Sequence, residues 1–141
     1  MAVVIAVSFV FAGCNSGSVI KGNPKNELEK FFPTEFLADA ETAYFYVEKR
    51  NFIVAPQKYV VFKFTEPPTE FLETYEFAEL ENDYNAENTL AYMEKLNISQ
   101  KYRLNFDKSC MKANFSQGYA DATGYYFAET MELIFFYRLG L

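Results

Sequence analysis

The sequence predicts an α+β fold: one antiparallel sheet of four to six strands with two or three helices, in a single domain. Three observations carry this. Strand-like segments fall into two groups, 43–65 and 111–139, with helix-like segments between them, the order expected when strands and helices are segregated along a chain. Half of the residues are apolar and 19% are aromatic, enough to fill one substantial core. The 141 residues suit one domain, and no internal repeat divides them.

Taken in order, the chain opens on residues 1–11, an almost wholly apolar run. A bilayer-spanning helix needs about 20 apolar residues, so this run is too short to cross and has the form of a secretory h-region. It closes on Phe11-Ala12-Gly13-Cys14. Here the leader resembles the bacterial lipoprotein signal, which ends in an aliphatic residue, a small pair and an invariant cysteine. Ala12 and Gly13 match that pattern, Phe11 stands where leucine is usual, and no Lys or Arg precedes the run. The resemblance covers the leader alone. It implies a signal peptide of residues 1–13 cut before Cys14, a diacylglycerol on the Cys14 thiol, and a lipid anchor in the cell membrane or outer membrane, outside the cytoplasm. With Asn15 instead of aspartate after the cysteine, it implies outer-membrane delivery in a host with two membranes.

Residues 14–24 read as a flexible tether of Asn, Ser, Gly and Lys with Val19 and Ile20 as the apolar exceptions, and the domain occupies 25–141. Asn23-Pro24 places an N-cap and a first-turn proline ahead of one or two helical turns that stop before Pro33. Residues 34–41 suggest a short helix or turn, and the aromatic and β-branched cluster that follows predicts a strand at 43–49. Phe52-Ile53-Val54 suggests a tight hairpin after Lys49-Arg50-Asn51. Residues 58–65 form the clearest strand, with Val60, Phe62 and Phe64 on one face and Tyr59, Val61 and Lys63 on the other.

Pro67-Pro68 ends that strand, and Thr69 is expected to cap a helix with Phe71, Leu72 and Tyr75 inward. A second helix is expected at 86–96, capped by Asp83 or Asn85, with Leu90, Met93 and Leu96 inward. Residues 101–106 alternate weakly, as an extended connection or edge strand would. Residues 111–117 read as a strand with Met111, Ala113 and Phe115 on one face, and 118–124 as a loop. A terminal hairpin closes the chain, with strands at 125–128 and 132–139 in which Leu133, Phe135 and Tyr137 oppose Ile134 and Phe136.

Composition narrows the chemistry. A net charge of −6, with no basic cluster beyond Lys49-Arg50, repels phosphate backbones and argues against nucleic acid as a partner. The chain has no histidine, which removes Ser-His-Asp catalysis and His-ligated metals together. It also deprives Cys110 of the commonest base for a nucleophilic thiol. With Cys14 lipidated, as the resemblance implies, Cys110 has no disulfide partner.

Between Lys63 and Lys95 lie nine carboxylates and no basic residue. On helices such a run is ordinarily a solvated face; its functional alternative is a docking patch for a basic protein partner, centred on Glu70, Glu73 and Glu76. Asp83, Asn85, Glu87 and Glu94 have the acidic spacing of an EF-hand loop, but Asn88 stands where its sharp turn needs glycine, so neither a metal nor another cofactor is predicted. Strands 43–49, 59–64 and 132–138 are apolar on both faces, so something covers the second face. That is either the chain's own helices and loops or a partner or small ligand on an aromatic surface rich in Tyr44, Tyr46, Tyr59 and Tyr126. No pair of carboxylates stands out from the others for hydrolysis, and no catalytic residue is identified. The expectation is a membrane-anchored envelope lipoprotein acting as a non-catalytic module that binds a protein partner or small ligand. The alternative is a small carboxylate-dependent hydrolase of the cell envelope.

Overall fold

The fold is given by a computed structural model that describes residues 22–49, 55–80 and 86–140. The leader, most of the tether, the 52–54 strand and both caps expected at Asp83 and Asn85 lie outside the described residues.

Six strands build one sheet: β1 (Glu41–Val47), β2 (Lys58–Lys63), β3 (Ala78–Glu79), β4 (Met111–Gln117), β5 (Ala120–Phe127) and β6 (Glu132–Arg138). Their order across the sheet is β1-β2-β6-β5-β4-β3, and every pairing is antiparallel. The helices are α1 (Pro24–Glu27), α2 (Thr69–Thr74) and α3 (Ala86–Leu96), making this the α+β domain the sequence predicts. β2 is buried on both faces from Tyr59 to Phe62, which an apolar run achieves only inside a sheet that is covered on both sides.

The chain supplies both covers. On the first face Val60, Phe62, Leu133, Phe135 and Tyr137 pack under Leu28, Phe32 and Leu37 from the α1 region and under Phe71, Leu72 and Phe77 from the α2 region. On the second face Tyr46, Tyr59, Val61, Tyr125, Phe127 and Ile134 pack under Met93 and Leu96 of α3 and under Ile98 and Leu104 beyond it. Register follows the alternation: Val60 opposes Phe135 and Phe62 opposes Leu133 on one face, while Tyr59 opposes Phe136 and Val61 opposes Ile134 on the other.

The first helix starts as expected, with the Asn23 side chain accepting from the Lys25 N–H at 3.0 Å and Pro24 in its first turn. Glu27 then fastens it to the sheet. One carboxylate oxygen accepts from the Tyr137 hydroxyl at 2.6 Å and the other lies 2.9 Å from Lys58 Nζ.

Several elements depart from the sequence reading. The loop expected at 118–124 is a tight turn at Gly118 (φ 64°) and Tyr119, and β5 begins at Ala120. Its small residues serve packing: a Cβ on Gly124 would stand 2.7 Å from the Phe135 ring. Thr69 opens α2 without capping it, and Pro68 holds the cap position with no side-chain bond. On α3 the stripe toward the sheet is Thr89, Tyr92, Met93 and Leu96, so Leu90 falls outside it and is 37% exposed. Residues 101–106 form no strand: a 3-10 turn, Gln100–Tyr102, leads into unpaired chain. The two-residue β3 is too short to leave a periodic signal.

Candidate functional site

The tyrosines singled out in the sequence meet on the second face, but under a roof. Tyr59 is fully buried and its hydroxyl donates to the Tyr102 carbonyl at 2.5 Å. The Tyr44 hydroxyl accepts from the Ser99 N–H at 3.0 Å, and its ring stacks on Tyr102 at 4.6 Å between centroids. Tyr46 is buried in the same cluster. Burial pushes all three hydroxyls above their ordinary value, which keeps them neutral. Tyr126 belongs to the opposite face. The 98–104 segment thus occupies the place a ligand on Tyr44 and Tyr59 would need.

Glu70 and Glu73 are exposed on α2, and Glu76 is exposed just beyond it with φ 54°. Glu87 and Glu94 sit on α3, across the sheet, so the acidic stretch is divided between two sides of the molecule. Residues 86–94 are helical, which is incompatible with an EF-hand loop at that spacing. Cys110 is buried at the margin of the second core.

The structure assembles a site that the sequence reading missed. The second face changes character along its strands. On β5 its residues run from Phe127 and Tyr125 to Thr123 and Asp121; on β4 they are Lys112, Asn114 and Ser116; on β6 they run from Ile134 and Phe136 to Arg138. Met93 and Leu96 seat α3 on the apolar end, and its first turns stand over the polar end. What results is an open cleft of about 390 Å³ between Asn88, Thr89 and Tyr92 on the helix and Gln57, Lys112, Thr123, Tyr125 and Phe136 on the sheet. This lies within the range of about 300–1,000 Å³ typical of small-molecule sites.

Its geometry mixes rings, amides, hydroxyls and charge. The Tyr92 and Phe136 rings lie 6.1 Å apart at 40°, and Lys112 Nζ sits 5.6 Å from the centre of the Tyr125 ring. The Thr123 hydroxyl donates to Asn114 Oδ1 at 3.1 Å. Gln57 donates its side-chain amide to the Lys58 and Tyr137 carbonyls and its backbone N–H to Glu48 Oε1. At one end Arg138 faces Tyr92. Burial pushes the Tyr92 hydroxyl up and the charge of Glu48 adds to this, while Arg138 acts in the opposite sense.

Arg138 Nε is buried without a hydrogen-bond partner among the described residues. The ion pairs among these residues join Lys58 to Glu27, Lys63 to Glu132 and Lys108 to Glu129, and include neither Lys112 nor Arg138. The lining holds no carboxylate. Thr123 was hidden from sequence reasoning because 118–124 read as a loop, and the alternation that places it beside Tyr125 appears only once those residues are a strand; Lys112 lies on a strand that the sequence did predict, but its neighbour Tyr125 comes only from the pairing of β4 with β5. No family model, curated protein or solved structure matches the chain, and its site is therefore read from geometry alone.

Proposed function

We propose that this protein is a lipid-anchored module of the bacterial envelope that binds a small polar ligand, without chemical turnover, in the cleft between α3 and the sheet. The cleft carries the reading: it sets aromatic walls from Tyr92 and Phe136 beside amide, hydroxyl and cationic groups, a composition suited to holding and orienting a small molecule. Anchorage rests on the Ala12-Gly13-Cys14 ending of the leader. Among the described residues no helix is long and apolar enough to cross a membrane. The hydrolase alternative would need two carboxylates converging on a cleft, and this lining offers none.

Native mass spectrometry of the full chain, released from membranes in detergent and incubated with an envelope extract, tests the binding. A retained small molecule that is lost on Tyr92→Ala, in a variant with an unchanged melting temperature, is the expected result. Identical spectra for the two proteins would remove the cleft as the site. A basic protein partner is the second reading, favoured by the exposure of Glu70, Glu73 and Glu76 together at α2.

A further inference from the structure

We infer that the ligand of this cleft is an anionic saccharide, a sugar carrying a carboxylate or a phosphate, held through its charge by Lys112 and through its ring and hydroxyls by the remaining lining. The inference rests on the cleft being a binding site and adds the class of molecule that occupies it.

Charge is the first argument. Lys112 lines the cleft from β4 and forms no ion pair among the described residues. The net charge of −6 does not cancel this local charge, because exposed charges beyond about 8 Å are largely screened at physiological ionic strength.

The body of the ligand follows from the rest of the wall. A purely apolar ligand would displace water from Asn88 and Lys112 without replacing it, whereas a polyhydroxylated ring matches such groups with its hydroxyls. The aromatic rings of Tyr92 and Phe136 offer surfaces to the C–H groups of the sugar. Because the cleft is open, one side of the ligand stays in water, which a hydroxylated body tolerates and an apolar one does not.

Equilibrium dialysis of the full chain in detergent micelles at physiological salt, with glucuronate, glucose 6-phosphate, glucose and inorganic phosphate as probes, tests the inference. Glucuronate or glucose 6-phosphate should bind at least about tenfold more tightly than glucose, and the tighter of the two identifies the anionic group. Lys112→Gln should weaken that probe by about tenfold, Lys112→Arg should restore most of it, and thermal melts of both variants should match the wild type. Glucose binding as tightly as glucuronate would overturn the anionic assignment while leaving the cleft a binding site. Inorganic phosphate binding as tightly as glucose 6-phosphate would overturn the saccharide. Absence of binding by every probe would overturn the inference outright, and the extract experiment with Tyr92→Ala decides the cleft itself separately.

Discussion

Tyr137 shows how one side chain serves packing and attachment together. Its ring lies in the first core beside Phe135, and its hydroxyl reaches the Glu27 carboxylate that also holds Lys58. Burial, followed by the bond to Glu27 and the charge of that carboxylate, pushes the hydroxyl far above the ordinary tyrosine value. Tyr59, buried on the other face, is raised as well, chiefly by burial. The linkage has a definite sign. Below about pH 10 these groups are protonated in both folded and unfolded chains and stability is unaffected. Above that value the unfolded chain releases the protons while the native one retains them, so stability falls as pH rises, by up to about 1.4 kcal/mol per pH unit for each group. Urea midpoints between pH 8 and 11 should therefore decline past pH 10, and Tyr59→Phe and Tyr137→Phe should each flatten the decline. An equal slope in both variants and the wild type would show that these hydroxyls ionise in the native protein.

Among elements, β2 and β6 bear the most, because together they contribute to both cores. Phe62 and Phe135 are completely buried, and truncating such a ring typically costs about 3–5 kcal/mol against a domain stability of about 5–15 kcal/mol. Phe62→Ala and Phe135→Ala should each lower the urea midpoint sharply or unfold the domain, and melts overlaying the wild type would contradict this packing. α2 behaves differently because its apolar residues, Phe71 and Leu72, are buried while Glu70 and Glu73 are exposed. Replacing Glu70, Glu73 and Glu76 with Gln should leave the melting temperature within a degree or two, since exposed charges contribute about 0–1 kcal/mol each. If a basic partner docks there, the same triple variant should slow association and weaken its salt dependence. Association kinetics indifferent to the variant would leave these carboxylates as a solvated surface.

At the scale of the whole molecule, the proposal of a lipid anchor predicts that the mature chain begins at Cys14 with added acyl mass. Mass spectrometry of membrane fractions checks this, and Cys14→Ser should release the protein from the membrane. An unmodified wild-type chain in the soluble fraction would refute it. The sequence by itself determined which residues share a face in β2 and β6, the start of α1 at Asn23-Pro24 and the α+β class, because alternation, caps and apolar runs are local properties that survive without knowledge of neighbours. It failed where a residue type answered to a distant neighbour. Gly124 is small because Phe135 and Phe77 crowd it, and read locally, with Gly118, it signalled a loop. Tyr44 and Tyr59 looked like an open aromatic surface because nothing local shows that the 98–104 segment folds over them. The cleft of Gln57, Tyr92, Lys112 and Phe136 came from the tertiary structure alone, since it requires β4, β5 and β6 to lie side by side and the first turns of α3 to stand over them, and long-range pairing leaves no mark in the spacing of any one segment.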